Sequence, residues 1–449
     1  MRAMPENEKP PARPVDVYCL IINYVIIAFM GICFDRFIKY GVSPMIAKIG
    51  EECEAELADV YAGIDEVASY NELKVLDAFT RVKFSDVHMG STTGYGYDDI
   101  GREKIEEIFA RVFGFEKAYV RIQISSGTQA ISAMLFGLLR PGDVMLSVTG
   151  KPYDTLAATI GITTGDNDGS LKNYGIDYKD CELNEDGSPD LATIAELIDD
   201  RTKMVFIQKS RGYTSRRALN SEDIRAIADT AHRVKPDVIV AVDNCYGEFC
   251  EITEPGDLGC DICAGSLIKN PGGGIAYSGG YIAGKEGLVE KCARHLTTPG
   301  LGSEVGPTLG FNRMIARGLF TAPQCVAECL KGAVFAAKIL EKTGYAKTEP
   351  KADAKRGDIV QTLIFEDAKK MCDFVGRIQG CSPVDSFVTP EPWDMPGYED
   401  KVIMAAGAFV QGATTELSCD GPMRPPYIAY LQGGLVADQA KLAVMLSLS

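Results

Sequence analysis

Lys269 is flanked by Ile268 and Asn270, follows the run Ile262-Cys-Ala-Gly-Ser-Leu267, and precedes a glycine-rich ribbon from Gly272 to Gly280. Most lysines are solvated on a surface, but one held among small and apolar residues is desolvated. Desolvation and a nearby cationic ring lower the ammonium pKa and leave an amine able to attack a carbonyl. Asp243 stands 269 − 243 = 26 residues earlier, at the end of the apolar run Val238–Val242. Alone it reads as an acid capping a turn. Beside a nucleophilic lysine it reads as the partner of a protonated ring nitrogen. A lysine that forms a Schiff base, and an acid that keeps a pyridine ring electron-poor, are what a pyridoxal phosphate (PLP) site needs.

The phosphate of such a cofactor needs its own cradle. Ser125-Ser126-Gly127-Thr128 lies between a predicted strand and a predicted helix. A helix start offers unpaired N–H groups and a positive dipole end, and the hydroxyls add donors. The same four residues equally suit an ordinary N-cap. Ser266, three residues before the lysine, is a second phosphate candidate. Tyr153, in Gly150-Lys-Pro-Tyr-Asp-Thr155, follows the next strand and reads either as a ring that stacks on the cofactor or as a turn tyrosine.

The elements that position these residues alternate. Apolar spacing predicts helices over 44–70, 72–84 and 102–113, the last closed by Gly114. Strands are expected at 117–124, 144–148, 204–208, 238–242 and 262–266. Helices are expected between them at 129–139, 154–162, 191–198 and 221–232, the last with Ser221 as N-cap. This order implies an α/β fold with a mostly parallel central sheet covered on both faces, and ligands in such sheets sit at the carboxyl ends of the strands. Every candidate above follows a strand. After about residue 310 the pattern changes. A long helix over 323–343 is followed by strands at 359–365, 402–409, 416–418 and 427–430, and by helices at 368–379 and 436–446. The expected organisation is an apolar extension over 1–44, a helical segment over 45–115, a large PLP-binding domain over 116–310 and a smaller C-terminal α+β domain over 311–449.

Composition narrows the function classes. The 449 residues carry a net charge of 46 − 62 = −16, which argues against nucleic acid or an anionic membrane as partner. His88, His232 and His295 are the only histidines, too few for a histidine-rich metal site. The 14 cysteines are scattered, and many unpaired thiols suit a reducing cytoplasm. Only Cys260-Asp-Ile-Cys263 has metal or redox spacing, no second pair completes a zinc site, and its flanks read as a buried strand. No metal is expected. Val17–Phe34 is a charge-free run near the lower length of a membrane span. It reads as a tether, an uncleaved signal, a packed arm or the product of an early start codon.

Together, GSTTGYGYDDIGR, ISSGTQAI, KPYDTL, QKSRGYTSR, VDNCYGEF, SLIKNPGGGIA and SCDGPMRPPYIAYLQGG form a specific set. Over roughly residues 45–449 the chain resembles fold-type I PLP-dependent enzymes of the aspartate aminotransferase-like class. More narrowly it resembles the methionine gamma-lyase/cystathionine beta-lyase-like family linked by name to aluminium resistance. The resemblance implies Lys269 as the Schiff-base lysine, Asp243 as the ring-nitrogen partner and Tyr153 as the stacking aromatic. It implies Ser126, Gly127, Thr128 and Ser266 as the phosphate cradle. Tyr95 or Tyr97 would reach the phosphate of a neighbouring subunit, so a homodimer or homotetramer with a shared site is expected. Arg424 is the candidate for the substrate carboxylate, because a guanidinium fork suits it, and Arg211 and Arg216 compete for that role. Two departures stand out. The better-known transsulfuration enzymes have threonine where Ile268 precedes the lysine, and a tyrosine–arginine pair where this chain has Tyr95-Gly-Tyr97.

The expected activity is a PLP-dependent carbon–sulfur lyase acting on a sulfur amino acid of the methionine, cystathionine or cysteine type. Lys269 would remove the Cα proton, and a thiol would leave from Cβ or Cγ. The alternatives are transamination or aldol cleavage on the same scaffold, and a non-catalytic stress-response protein.

Overall fold

The structure is a computed structural model that describes residues 34–163, 168–214, 216–395 and 398–449. The apolar run over 17–33 lies outside the described residues. Among those described, no helix is long and apolar enough to cross a membrane.

After a helical stretch over 34–38 come two longer helices, Pro44–Glu56 and Ala58–Arg81. Ser43 caps the first, accepting from Ile46 N at 3.4 Å, with Pro44 at the first helical position where its missing N–H costs nothing. The break falls at buried Leu57 rather than near residue 71. Periodicity continues unbroken through Leu57, so the pattern alone did not reveal it.

Seven strands form the larger sheet: β1 Lys117–Arg121, β2 Val144–Ser147, β3 Asp177–Asp180, β4 Thr202–Gln208, β5 Ile239–Asp243, β6 Ile262–Ser266 and β7 Gly280–Gly284. Their order is β1-β7-β6-β5-β4-β2-β3. The pairs from β6 through β5, β4 and β2 to β3 are parallel, and β7 runs antiparallel between β1 and β6. Strands β2, β5, β6 and β7 are buried throughout, and β2, β5 and β6 accordingly read as apolar runs. Two strands of this sheet went unpredicted. β3 is a polar edge strand, Asp-Tyr-Lys-Asp, with no apolar signal. β7 begins in the glycine ribbon, where glycine spoils strand propensity but lets two neighbours pack closely. The helix Ser221–Val234 is capped by Asn220, not Ser221, through a reciprocal bond with Asp223.

The second sheet is antiparallel, with β8 Lys347–Glu349, β9 Gln361–Ile364, β10 Val402–Ala405, β11 Ser418–Pro422 and β12 Ile428–Gln432 in the order β10-β11-β12-β9-β8. The helix Asn312–Lys342 joins the two sheets. Its Ile315, Leu319 and Val326 belong to the core of the first sheet, and its Phe335, Ile339 and Leu340 to that of the second. It starts eleven residues before the expected start at Pro323, which lies inside it. A proline favours a helix start locally, but burial of the flanking turns outweighs the bond it removes.

The register decides where chemistry can occur. Gln208 on β4 is level with Asp243 on β5, and Asp243 with Ala264 on β6. Three parallel strands therefore end along one edge, where Gln208 and Asp243 stand side by side and Ser266 lies two residues further along β6.

Candidate active site

Lys269 leaves β6 three residues after its end and begins the short turn Asn270–Gly272. Ser266 shapes that exit, its Oγ accepting from Ile268 N at 3.3 Å. The lysine is half-buried, with Nζ 3.6 Å from the centre of the Tyr246 ring. Tyr246 is held at φ 70, a backbone region that bulky residues rarely adopt. Buried Asn270 fixes that conformation. Its Nδ2 donates to the carbonyls of Tyr246 at 3.0 Å and Glu248 at 2.9 Å, tying the loop after β5 to the loop after β6.

The Ser125–Thr128 segment reaches the same place. A Cβ on Gly127 would lie 3.0 Å from Cys245 Sγ, 3.4 Å from Ser266 Cβ and 3.9 Å from Lys269 Cε. The absence of a side chain at Gly127 therefore lets the start of helix Gly127–Leu138 approach the lysine this closely without crowding Cys245. Ser126 is the N-cap, accepting from Gln129 N at 3.1 Å, and Ser125 donates through N and Oγ to Gln129 Oε1. Thr128 Oγ1 lies 3.4 Å from Tyr153 Oη, and Tyr153 N donates to Gln208 Oε1 at 3.3 Å. Tyr153 thus joins the helix start to the strand ends.

Burial pushes the Asp243 carboxyl up to about 6, against the opposing pull of a bond from Cys245 N at 3.1 Å and of the Lys269 and Arg216 charges. Burial also pulls Lys269 down, but Tyr246, Cys245 and Asp243 outweigh it and hold the ammonium above its ordinary value. The expected lowering is therefore absent from the cofactor-free chain. Desolvation is present, but acidic neighbours that a local reading could not place surround the amine. Burial raises the Tyr153 phenol well above its ordinary value, and the Asp243 charge adds to this.

The remaining candidates lie at different distances from this cluster. Arg211 is 1% exposed and committed to Glu349 O at 2.9 Å, Thr362 Oγ1 at 3.0 Å and Asp358 at 3.7 Å. It pins β4 to the second sheet. Arg216 donates to Gln208 O at 2.8 Å and to Ser210 O. Arg424 lies at the rim, half-exposed, paired with Asp400 at 2.8 Å and within the field of Asp154. Tyr95 and Tyr97 stack on each other, centroids 5.4 Å apart, on an exposed loop. Arg102 secures that loop by donating to Gly96 O at 2.6 Å and Gly306 O at 2.9 Å.

Three features escaped the sequence reading. Tyr246 lay in a quoted motif but carried no signal beyond its place after Asp243. Asp420, from β11, enters the neighbourhood of Lys269 with Tyr213 bonded to it at 2.5 Å. A second lysine, Lys209, also follows an apolar strand and is 1% exposed. Its Nζ donates to Gly247 O at 3.0 Å and lies 3.9 Å from Glu251. The Cys260 and Cys263 thiols are buried, and burial holds both above their ordinary range.

Known proteins share this architecture. A sequence model described as methionine gamma-lyase matches residues 46–449. The uncharacterized protein YnbB of Bacillus subtilis (strain 168) is 49% identical over 400 residues, covering 89% of this chain and 95% of its own. A structure described as a carbon-sulfur lyase involved in aluminum resistance, from Clostridium novyi NT, is 48% identical with a TM-score of 0.88, covering 92% of this chain and 97% of its own. A Campylobacter jejuni structure bearing N'-pyridoxyl-lysine-5'-monophosphate shares the fold at 17% identity and a TM-score of 0.53, covering 76% of this chain and 85% of its own. The full extent of the family match, the near-complete overlap with these relatives and the α/β fold agree: this chain belongs to the methionine gamma-lyase family, a family of PLP-dependent enzymes.

Proposed function

We propose that this chain is a PLP-dependent carbon–sulfur lyase that splits a sulfur amino acid, by β- or γ-elimination, into a thiol, a 2-oxo acid and ammonia. The observation that carries this reading is the meeting of Lys269 with Gly127, Ser266, Cys245 and Tyr246 at the edge where Asp243 ends its strand. The residues fit the cofactor. Gly127 leaves open the space that a Cβ would fill, and Asp243 is a buried acid whose cost of ionisation a ring N–H would offset. Gly127, Thr128, Ser126 and Ser266 would hold the phosphate, Asp243 the ring nitrogen and Tyr153 the ring face. Tyr95 or Tyr97 of a second copy would complete the phosphate contacts.

When bound, PLP supplies an electron sink for the charge that develops at the substrate Cα. Lys269 takes the Cα proton and can return it to a neighbouring atom, because Tyr246 and Asn270 fix where its amine stands. Asp243 keeps a proton on the ring nitrogen. Arg424, exchanging Asp400 for the substrate, binds the α-carboxylate.

Purified protein should show visible absorbance that borohydride abolishes, with the modification on Lys269. Incubation with methionine, cystathionine and cysteine should release a thiol and a 2-oxo acid from at least one. Full thiol release by Lys269→Ala would refute the mechanism.

A further inference from the structure

Gln208 ends β4, level with Asp243 on the neighbouring strand, and only 5% of it is exposed. Its side-chain amide bridges two loops. Oε1 accepts from Tyr153 N at 3.3 Å, in the loop after β2, and Nε2 donates to Ser210 O at 3.0 Å, in the loop after β4. The backbone of Gln208 is fixed as well. Its N donates to Thr149 Oγ1 at 3.3 Å, and its O accepts from Arg216 at 2.8 Å. Ser210 is a firm anchor, because its Oγ donates to buried Asp358 at 3.0 Å. The loop after β4 passes close by: a Cβ on Gly212 would lie 3.1 Å from Gln208 Nε2 and 3.7 Å from Tyr153 Cβ.

The bridge needs one donor and one acceptor at the end of the same side chain. An amide has both, whereas a carboxylate has only acceptors and a thioether has no donor. Without the amide, Tyr153 N would lose its acceptor, and Ser210 O would be left to Arg216. Tyr153 depends on this support. It is the N-cap of the seven-residue helix Asp154–Ile160 and makes no side-chain cap bond of its own. Its O accepts from Leu156 N at 3.0 Å and Ala157 N at 2.9 Å, and its Oη lies 3.4 Å from Thr128 Oγ1. The ring therefore spans from a backbone held by Gln208 to the start of the helix Gly127–Leu138. Fixing that backbone fixes the ring, because only two side-chain torsions remain and both have few minima.

We infer that Gln208 is a positioning residue which, by bridging Tyr153 N and Ser210 O, sets where the Tyr153 ring stands beside the cofactor. This deepens the reading of Tyr153 as the residue on the ring face and rests on it. Gln208 acts through Tyr153 and not by its own contact with the reacting atoms.

A double-mutant cycle tests this. Gln208→Met keeps most of the length and volume of the side chain and removes the amide. It should weaken PLP retention by about tenfold in equilibrium dialysis, and alter the visible circular dichroism of the bound cofactor. In a Tyr153→Ala background no ring is left to place. There the same substitution should change retention by less than about twofold and leave the spectrum as it was. A loss of equal size in both backgrounds is what a purely structural role gives, and it would overturn the assignment. Undiminished retention in the single variant would do the same. Should Gln208→Met fail to fold, Gln208→Glu keeps an acceptor for Tyr153 N, gives Ser210 O no donor, and goes through the same cycle with the same criteria. Borohydride treatment of the unaltered holoenzyme keeps the two readings apart. An unlabelled Lys269 would remove the cofactor reading and this assignment with it. A labelled Lys269 with equal losses would remove only the role of Gln208.

Discussion

Gly127 is the residue on which the site closes. A methyl group there meets Cys245 Sγ at 3.0 Å and Ser266 Cβ at 3.4 Å, in the space assigned to the phosphate. Gly127→Ala should weaken cofactor retention by about tenfold or more, because it displaces the helix start from the anion it would bind. Equilibrium dialysis of PLP against both proteins measures this. Arg424→Ala should raise KM by about tenfold or more with a smaller change in kcat, since it removes a charged contact made before the chemical step. A fall in kcat alone would assign the carboxylate to another residue. Asp243 makes a prediction about pH. Its carboxyl titrates near 6 when folded and about 4 when unfolded, so between those values the folded chain binds more protons. Stability of the cofactor-free protein should therefore fall as pH rises through that window, by about 3 kcal/mol from this group, and level off above it. Thermal melts across the window should show a flatter profile for Asp243→Asn. Matching profiles would rule Asp243 out as the source.

At the scale of elements, the lysine is positioned by backbone packed on backbone. A Cβ on Gly272 would lie 1.8 Å from Leu267 O, and one on Gly318 would lie 2.4 Å from Gly272 O. The turn after Lys269 therefore rests directly on the helix Asn312–Lys342, with no side chain between them. Gly318→Ala should destabilise the fold by about 1–3 kcal/mol and loosen cofactor binding, although it touches no proposed ligand. Thermal melting and dialysis together test this; lower stability with unchanged retention would show that the turn tolerates the shift. The same helix belongs to both cores and so joins the second sheet to the turn that follows the lysine.

At the scale of the whole molecule, the family resemblance assigns two tyrosines of a neighbouring subunit to the site. Tyr95 and Tyr97 are 65% and 51% exposed and stack on each other. A second copy could present this exposed loop, as symmetric oligomers with shared sites do. Mixing inactive Lys269→Ala with an inactive double variant, Tyr95→Phe and Tyr97→Phe, should restore partial thiol-lyase activity after subunits exchange. No recovery from a mixture shown to exchange would mean that each site is built from one chain.

The parallel order of the central strands and the placing of Asp243 and Ser266 at strand ends were legible in the residue pattern, because buried parallel strands must be apolar and ligand sites follow their ends. It also marked Lys269, through small neighbours and a glycine ribbon. Lys209 also follows an apolar strand, but no glycine ribbon follows it; the fold sets it within the field of Glu251, Glu254 and Glu248, and sets Lys269 beside Gly127 and Tyr246. The same holds for Asp420, 420 − 269 = 151 residues from the lysine whose charge it feels. Local pattern records which residues are buried and in what period. Which buried groups face one another depends on strand order and the docking of the second sheet, and those are decided by contacts distant in sequence.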